Sequence, residues 1–496
     1  MNNAFLIRLI EKVSGQGYDP AWSDKIPFIL GGLIGLVVLW IFFGMWYWKS
    51  FGSDKRLRHL FLATVVILGV FILAKLGVHH FYKDYLGDRW FFYGLPSPRI
   101  KGFGWFLLPI GIFSAFFYFR SKIEALSERM FLFVIWFVFV ALALSVAGVR
   151  DGLLSIVDSL TRTYWEYTGA LPFIKGTFSF LHDFISLLPV LPVHVRIHPP
   201  GYPLALYFWQ ELFHVGNLGL AILLVMTAGI VPLVTYFLVK AEAGVARAKR
   251  IAMVLIFLPS LVLFSATSME GLFVGLVWLS LGACYWGWKN NLPLALLGGC
   301  FVAYSFFSNF LFALLAPCFV YLLYCLYSDA EKPARKIFLI RVVCTVFVFV
   351  LFFVALWKGS GYSIVHNFFI AYGHNNEIVE SNFASVITYS SYFLMNVLEF
   401  LFYLGIPLVY IFVTSLPQSF IRRSKWFTCG AISLFFFLII GIFQGEVGRI
   451  WLFIAPFFIH FGSSLLEGED EQSFSAILML LFLQIMTVQV AFYTFW

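Results

Sequence analysis

The sequence predicts an all-α, polytopic membrane protein, and three observations carry that expectation. Of its 496 residues 61% are hydrophobic and only 12% are charged, a balance that fits a chain solvated by lipid and not a water-soluble domain. Apolar runs of bilayer-spanning length recur along the chain. The connections between them are mostly short, and several are rich in Lys and Arg.

The spans are expected near 27–47, 59–78, 103–119, 130–149, 203–239, 251–266, 270–287, 292–306, 308–327, 337–357, 388–413, 426–443, 450–465 and 474–495. The 203–239 stretch reads either as two spans or as one tilted helix whose entry segment breaks at 215–219; the second reading gives 14 spans. An amphipathic piece at 5–13 suits a membrane surface, and with no small-residue cleavage site behind it the first apolar run reads as an anchor. Lys75, inside an apolar run, is expected to snorkel or to pair locally. The six cysteines fall in or beside apolar runs, without metal-site spacing or a disulfide framework.

Charge then orients the chain. Alternating the spans puts the basic loops at 49–58, 240–250, 331–336 and 415–425 on one side, which should be cytoplasmic. The loops at 151–202, 266–270, 357–389 and 445–449 fall on the other. That outer side also carries Arg89, Arg99, Lys101, Arg150, Arg162, Lys175 and Arg196, an excess of positive charge that suits an anionic ligand. The net charge of +8 is read as orientation and headgroup contact, not as a nucleic-acid surface.

The 151–202 loop is too long for a passive connection. Leu153, Leu154, Ile156, Val157 and Leu160 share one helical face, and Phe178, Phe180, Leu181, Phe184, Ile185, Leu187 and Leu188 another. Neither piece is long enough to span, so both are expected to lie at the interface. Between them Glu166 stands alone among aromatics in WEY, where partial burial would raise its pKa toward the working range.

The loop ends in VHVRIHPPGYP, residues 193–203. If that stretch is extended, His194, Arg196 and His198 share one face as three donors suited to a phosphate headgroup. Pro199 and Pro200 stop a preceding helix, and Gly201 permits a turn. A polar loop end capping a membrane helix accounts for the same residues more plainly.

Other candidates sit at outer helix ends. Asp151, beside Arg150 in GVRDG, could serve as a general base or be half of an ordinary helix-end charge pair. Glu270 opens a helix, where the dipole alone favours an acid. Glu446 and Arg449 are spaced to pair on one helical face, holding an arginine toward a phosphate or forming a structural ion pair. Asp158 and Asp183 read as polar faces of interfacial helices. His366, His374, Asn375 and Asn376 in the 358–387 loop match no metal template. There is no P-loop, HExxH, nucleophile elbow or CxxC, which disfavours an ATP-driven pump, a zinc protease of that type and a serine hydrolase of that type.

The order of elements resembles the GT-C superfamily of membrane glycosyltransferases, which includes the protein O-mannosyltransferases and the lipid A aminoarabinose transferases. The likeness rests on a span ending in Asp151, a long loop with two interfacial helices and Glu166-Tyr167, the His194–Gly201 run opening the next span, and Glu446-x-x-Arg449 before Pro456. It covers about residues 130–465. The resemblance implies an inverting transfer of a sugar from a polyprenyl-phosphate carrier to a glycan, lipid or protein acceptor. The transfer would take place on the outer face of a membrane, by implication the bacterial inner (plasma) membrane.

It further implies a loop acid as base, which by position means Asp151, with Glu166 as rival. His194, Arg196, His198, Glu270, Glu446 and Arg449 would bind substrate. No cofactor is required by it, and a divalent metal stays open. The chain departs from the family in having three spans before the helix ending at Asp151, and in lacking paired acids in the loop. The expected organisation is an extension at 1–129, a catalytic core at 130–465 and a last span at 466–496. The rival functions are a lipid-linked or small-solute transporter, whose functional groups would open alternately to both sides and often sit in repeats, and a scaffold subunit of an envelope-assembly complex.

Overall fold

The computed structural model describes residues 26–81, 94–161, 165–419, 424–459 and 471–494. The amphipathic stretch expected at 5–13 lies outside them. Its helices are α1 (Ile26–Phe51), α2 (Lys55–Phe81), α3 (Phe103–Ala125), α4 (Glu128–Asp151), α5 (Leu153–Thr161), α6 (Thr177–Leu187), α7 (Val193–Arg196), α8 (Gly201–Phe213), α9 (Asn217–Ala228), α10 (Ile230–Ala243), α11 (Val245–Leu255) and α12 (Pro259–Phe264). They continue as α13 (Glu270–Asn290), α14 (Leu292–Ser308), α15 (Ala316–Asp329), α16 (Arg335–Ser360), α17 (Ile364–Val379), α18 (Val386–Leu404), α19 (Ile406–Ser419), α20 (Lys425–Ile440), α21 (Val447–Ile450), α22 (Ala455–Ile459) and α23 (Glu471–Ala491). The described strands are two residues each, β1 (Leu95–Pro96) antiparallel to β2 (Phe492–Tyr493).

Among the described residues nine helices are long and apolar enough to cross a membrane, or ten if α18 and α19, bent by 105° at Gly405, count as one. This all-α, membrane-embedded architecture agrees with the sequence expectation, but the 14 full-length spans do not all appear. The 251–266 stretch is two short helices, α11 and α12, divided before Pro259 and wholly buried from Ile251 to Phe264. The 292–306 and 426–443 stretches are α14, of 17 residues, and α20, of 16. The 450–465 stretch begins as two fragments, α21 and α22. Hydropathy reports that a run is apolar; it does not report whether that run faces lipid or packs inside the protein, where a broken helix is tolerated. At 203–239 the second reading holds: α8 ends at His214, which has a positive φ of 50°, and the span starts afresh at Asn217.

Burial orders the layers. In α23, 94% of the apolar window is buried, against 11% in α16, so α23 is central and α16 lipid-facing. α23 packs on α1, α2, α4, α12 and α19. Lys75, expected to snorkel or to pair locally, is buried and engaged by a neighbouring group. The expected interfacial helices are present as α5 and α6, with Ile156 and Leu160 inward and Leu153 and Leu154 exposed on the first. The stretch at 358–387, expected as a loop, is largely the helix α17, and His366 and His374 are exposed on it.

Ion pairs distinguish the two ends of the bundle. At one end Lys240 meets Glu128 at 2.5 Å, Lys425 meets Glu242 at 2.9 Å, and Arg250 reaches Glu124 and Glu471 at 3.2 Å each. Arg120 joins Glu471 at 2.9 Å. At the other end β1 and β2 clip the chain's last helix to the start of α3. There Arg150 donates to the Phe492 carbonyl at 3.0 Å and to Ser97 at 2.7 Å.

Candidate functional site

The organising residue of the second end is Tyr167, first residue of a 3-10 turn (Tyr167–Phe173) between α5 and α6 and only 4% exposed. His194 and His198 stack beside its ring at 6.0 and 6.2 Å, and Tyr202 meets it edge-on at 5.0 Å. Residues 193–196 are not extended. Pro192 caps one helical turn, whose Val195 and Arg196 amides donate to the Pro192 carbonyl. His194, on the turn, and His198, just beyond it, both reach the Tyr167 ring, while Arg196 donates from Nε to the Leu191 carbonyl at 2.7 Å. The expected three-donor face is thereby corrected to a pair of histidines.

Gly201 also has another task than the expected turn. It carries no positive φ, but a Cβ there would lie 2.4 Å from the Phe307 carbonyl oxygen. Glycine lets α8 start against the end of α14, where Tyr304 donates to the Gly201 carbonyl at 3.0 Å and Asn309 donates to the Tyr202 hydroxyl at 3.3 Å.

Glu166 is 2% exposed. Its Oε2 lies 3.4 Å from His194 Nδ1, and its Oε1 is buried with no partner among the described residues. The His194 amide donates to the Trp165 carbonyl at 3.2 Å, which fixes the histidine against this turn.

The remaining charges lie near enough to Tyr167 to act on its hydroxyl. Glu270 is the first residue of α13, where the helix dipole favours its carboxylate, and it meets Arg449 at 3.2 Å. Arg449 also donates to Glu446 at 2.7 Å, the expected i,i+3 pair. Two buried side chains of α18 hold the backbone that carries them. Asn396 donates to the Phe443 carbonyl at 3.1 Å and accepts from the Gly445 amide at 3.0 Å, and Glu399 accepts from the Gly448 amide at 3.0 Å. Glu446 takes a left-handed φ of 60°, and Gly448 lies so close to Tyr403 that a Cβ would come within 2.1 Å of its ring.

Burial chiefly, then the charges of His194 and Arg449, hold His198 far below its usual range, to about 3, although Glu270 pulls the other way. It is therefore a neutral donor–acceptor at ordinary pH. Burial pushes the Tyr167 hydroxyl well up, and Tyr202, Glu270 and Glu166 add to this while Arg449 opposes it.

The structure thus brings Glu166, His194, His198, Glu270, Glu446 and Arg449 to one cluster and leaves two expected members out. Arg196 donates to the Leu191 carbonyl, as described. Asp151 is ion-paired with Arg99 and lies 4.0 Å from Arg150 Nε, and its own amide donates to Ser155 at 2.9 Å. None of these contacts is to the cluster. Tyr202, Asn309, Asn396 and Glu399 were missed, and Tyr167 was noted only as the partner of Glu166 in the loop motif. For Glu399 a signal existed, since a carboxylate inside an apolar run is a functional candidate in a membrane protein. Among the described residues no group of three or more His, Cys, Asp or Glu side chains is arranged to hold a metal ion, and Glu270 and Glu446 are already engaged by Arg449, so the donor set does not fit a resident divalent cation.

No protein-family model, curated protein or solved structure matches the chain.

Proposed function

We propose that the protein is a membrane glycosyltransferase of GT-C-like design, moving a sugar from a polyprenyl-phosphate carrier to an acceptor hydroxyl at the outer membrane face. The observation that carries the reading is Glu166, a buried carboxylate with one oxygen beside His194, the other without a partner among the described residues, and Tyr167 within reach of both its charge and that of Arg449. A buried carboxylate so arranged is suited to accept a proton from an arriving hydroxyl.

In the reaction Glu166 Oε1 takes the proton of the acceptor hydroxyl, whose oxygen attacks the anomeric carbon. The bond from that carbon to the phosphate oxygen breaks, the electron pair leaves with the phosphate, and one displacement inverts the centre. Arg449 and the ring N–H groups of His194 and His198 stabilise the departing charge. Arg449 must then exchange one carboxylate for the phosphate. Glu446 yields more readily than Glu270, since its side chain is 28% exposed against 17%. The basic connections at the opposite end of the bundle favour an outward-facing site in a plasma membrane.

The test is transfer of labelled sugar by purified protein from a panel of polyprenyl-phosphate donors, beside Glu166→Gln. Turnover that the variant loses supports the reading. Saturable binding of lipid phosphate without turnover from any donor overturns it in favour of a transporter or scaffold.

A further inference from the structure

A groove of about 460 Å³ opens beside the cluster, between the Tyr167–Phe173 turn and α8, with the end of α5 and the start of α9 completing its walls. Its polar lining comes from Thr161, Thr168, Tyr207, Gln210, Glu211 and Asn217, over an apolar floor contributed by the turn. We infer that this groove receives a neutral, hydroxyl-rich group, the glycan portion of the acceptor. The inference rests on the glycosyltransferase reading for the word acceptor, but the choice of ligand chemistry rests on the lining alone.

The chemistry selects by exclusion and by match. Among the described residues no Lys, Arg or His lines the groove, and Glu211 would repel a phosphate, so the carrier's headgroup belongs with Arg449 and not here. An isoprenoid or acyl chain would strand the Gln210 and Asn217 amides and the Glu211 carboxylate, whereas the Thr161 and Thr168 hydroxyls already donate to the Val157 and Leu160 carbonyls. A sugar instead offers alternating donors and acceptors to Gln210, Asn217, Thr161, Thr168 and Glu211. It also offers an apolar C–H face to Tyr207 and the floor below. The volume lies within the about 300–1,000 Å³ of small-ligand clefts.

Position supports the same assignment. Thr168 directly follows Tyr167, and Tyr207 lies five residues beyond Tyr202 on α8, about 7.5 Å of helix rise. The two elements that wall the groove are therefore those that carry the cluster's aromatic centre.

The experiment measures binding of mannotriose, maltotriose and inorganic phosphate to the full chain in nanodiscs by ligand-observed NMR. It compares the wild type, Gln210→Ala/Asn217→Ala and the milder Glu211→Gln. The expected result is saturable binding of at least one neutral sugar by the wild type, weakened about tenfold or more in the double variant, as loss of two hydrogen bonds implies. Glu211→Gln should weaken it less and leave thermal stability unchanged, so a binding loss is not an unfolding artefact. Sugar binding indifferent to both sets of substitutions, no sugar binding up to the millimolar range, or preferential phosphate binding lost in the double variant would each overturn the inference. If sugars bind in the groove but no donor is ever turned over, the transferase reading falls and the groove assignment stands.

Discussion

Glu166 shares only one of its two carboxylate oxygens with a neighbour, His194 Nδ1 at 3.4 Å, and buries the other without a partner among the described residues. If the group is the base, Glu166→Gln lowers transfer by about 10²- to 10⁴-fold, the usual worth of a general base, while leaving the thermal transition unchanged or slightly higher.

Asp151 separates the same way with the opposite sign. Its carboxylate neutralises Arg99 and sits near the buried Arg150, so Asp151→Asn should lower thermal stability measurably and leave turnover per folded molecule within about threefold of wild type. Loss of turnover in a fully folded Asp151→Asn protein would return the base to Asp151 and sink the Glu166 assignment.

Arg449 lies between two carboxylates, and their exposures assign them different tasks. Glu270→Gln removes the more enclosed partner and should raise the donor KM about tenfold or more by letting the guanidinium drift. Glu446→Gln removes the competitor that the phosphate displaces, so its donor KM should fall or stay level. Steady-state kinetics against donor concentration at fixed acceptor reads both. A rise in donor KM for Glu446→Gln matching that of Glu270→Gln would refute the exchange.

The loop that carries Arg449 depends on packing as much as on charge. Gly448→Ala drives a Cβ against the Tyr403 ring, and Glu399→Ala leaves the Gly448 amide buried without its acceptor. Each should destabilise the fold by about 1–3 kcal/mol and reduce transfer more than stability alone explains. A melt paired with turnover at a temperature where both variants remain folded makes the comparison.

How much of this was legible follows from what each kind of pattern encodes. Amphipathic spacing gave α5 and α6 because a 3.6-residue period is local. Glu166, His194, His198, Glu270, Glu446 and Arg449 were all singled out because polar groups at span ends are conspicuous in a chain this apolar. Their assembly around Tyr167 was not legible, since an aromatic carries no distinguishing mark among 20% aromatic residues. Alternation at 193–198 suggested a strand, but Pro192 fits the start of a helical turn equally well, and one turn reverses where Arg196 points. The count of full-length spans failed where apolar runs such as Ile251–Phe264 are buried inside the bundle and need no continuous helix.

His198 provides the pH test. Its folded pKa, about 3, lies below the usual histidine value of about 6.5, so between those limits the unfolded chain holds a proton that the folded chain does not. Stability therefore rises with pH through that window, by at most about 1.4 kcal/mol per unit from this group, and the contribution is level above about 6.5. His198→Gln keeps a polar side chain without the titration. The expected outcome is a thermal transition that falls on going from pH 7 to pH 4.5 in wild type and falls less in the variant, measured in the same detergent. Since the folded His198 stays neutral throughout, the pH profile of transfer should keep its acid limb in the variant. Disappearance of the acid limb in His198→Gln would show that the histidine itself titrates in the working enzyme, and would overturn its role as a neutral donor.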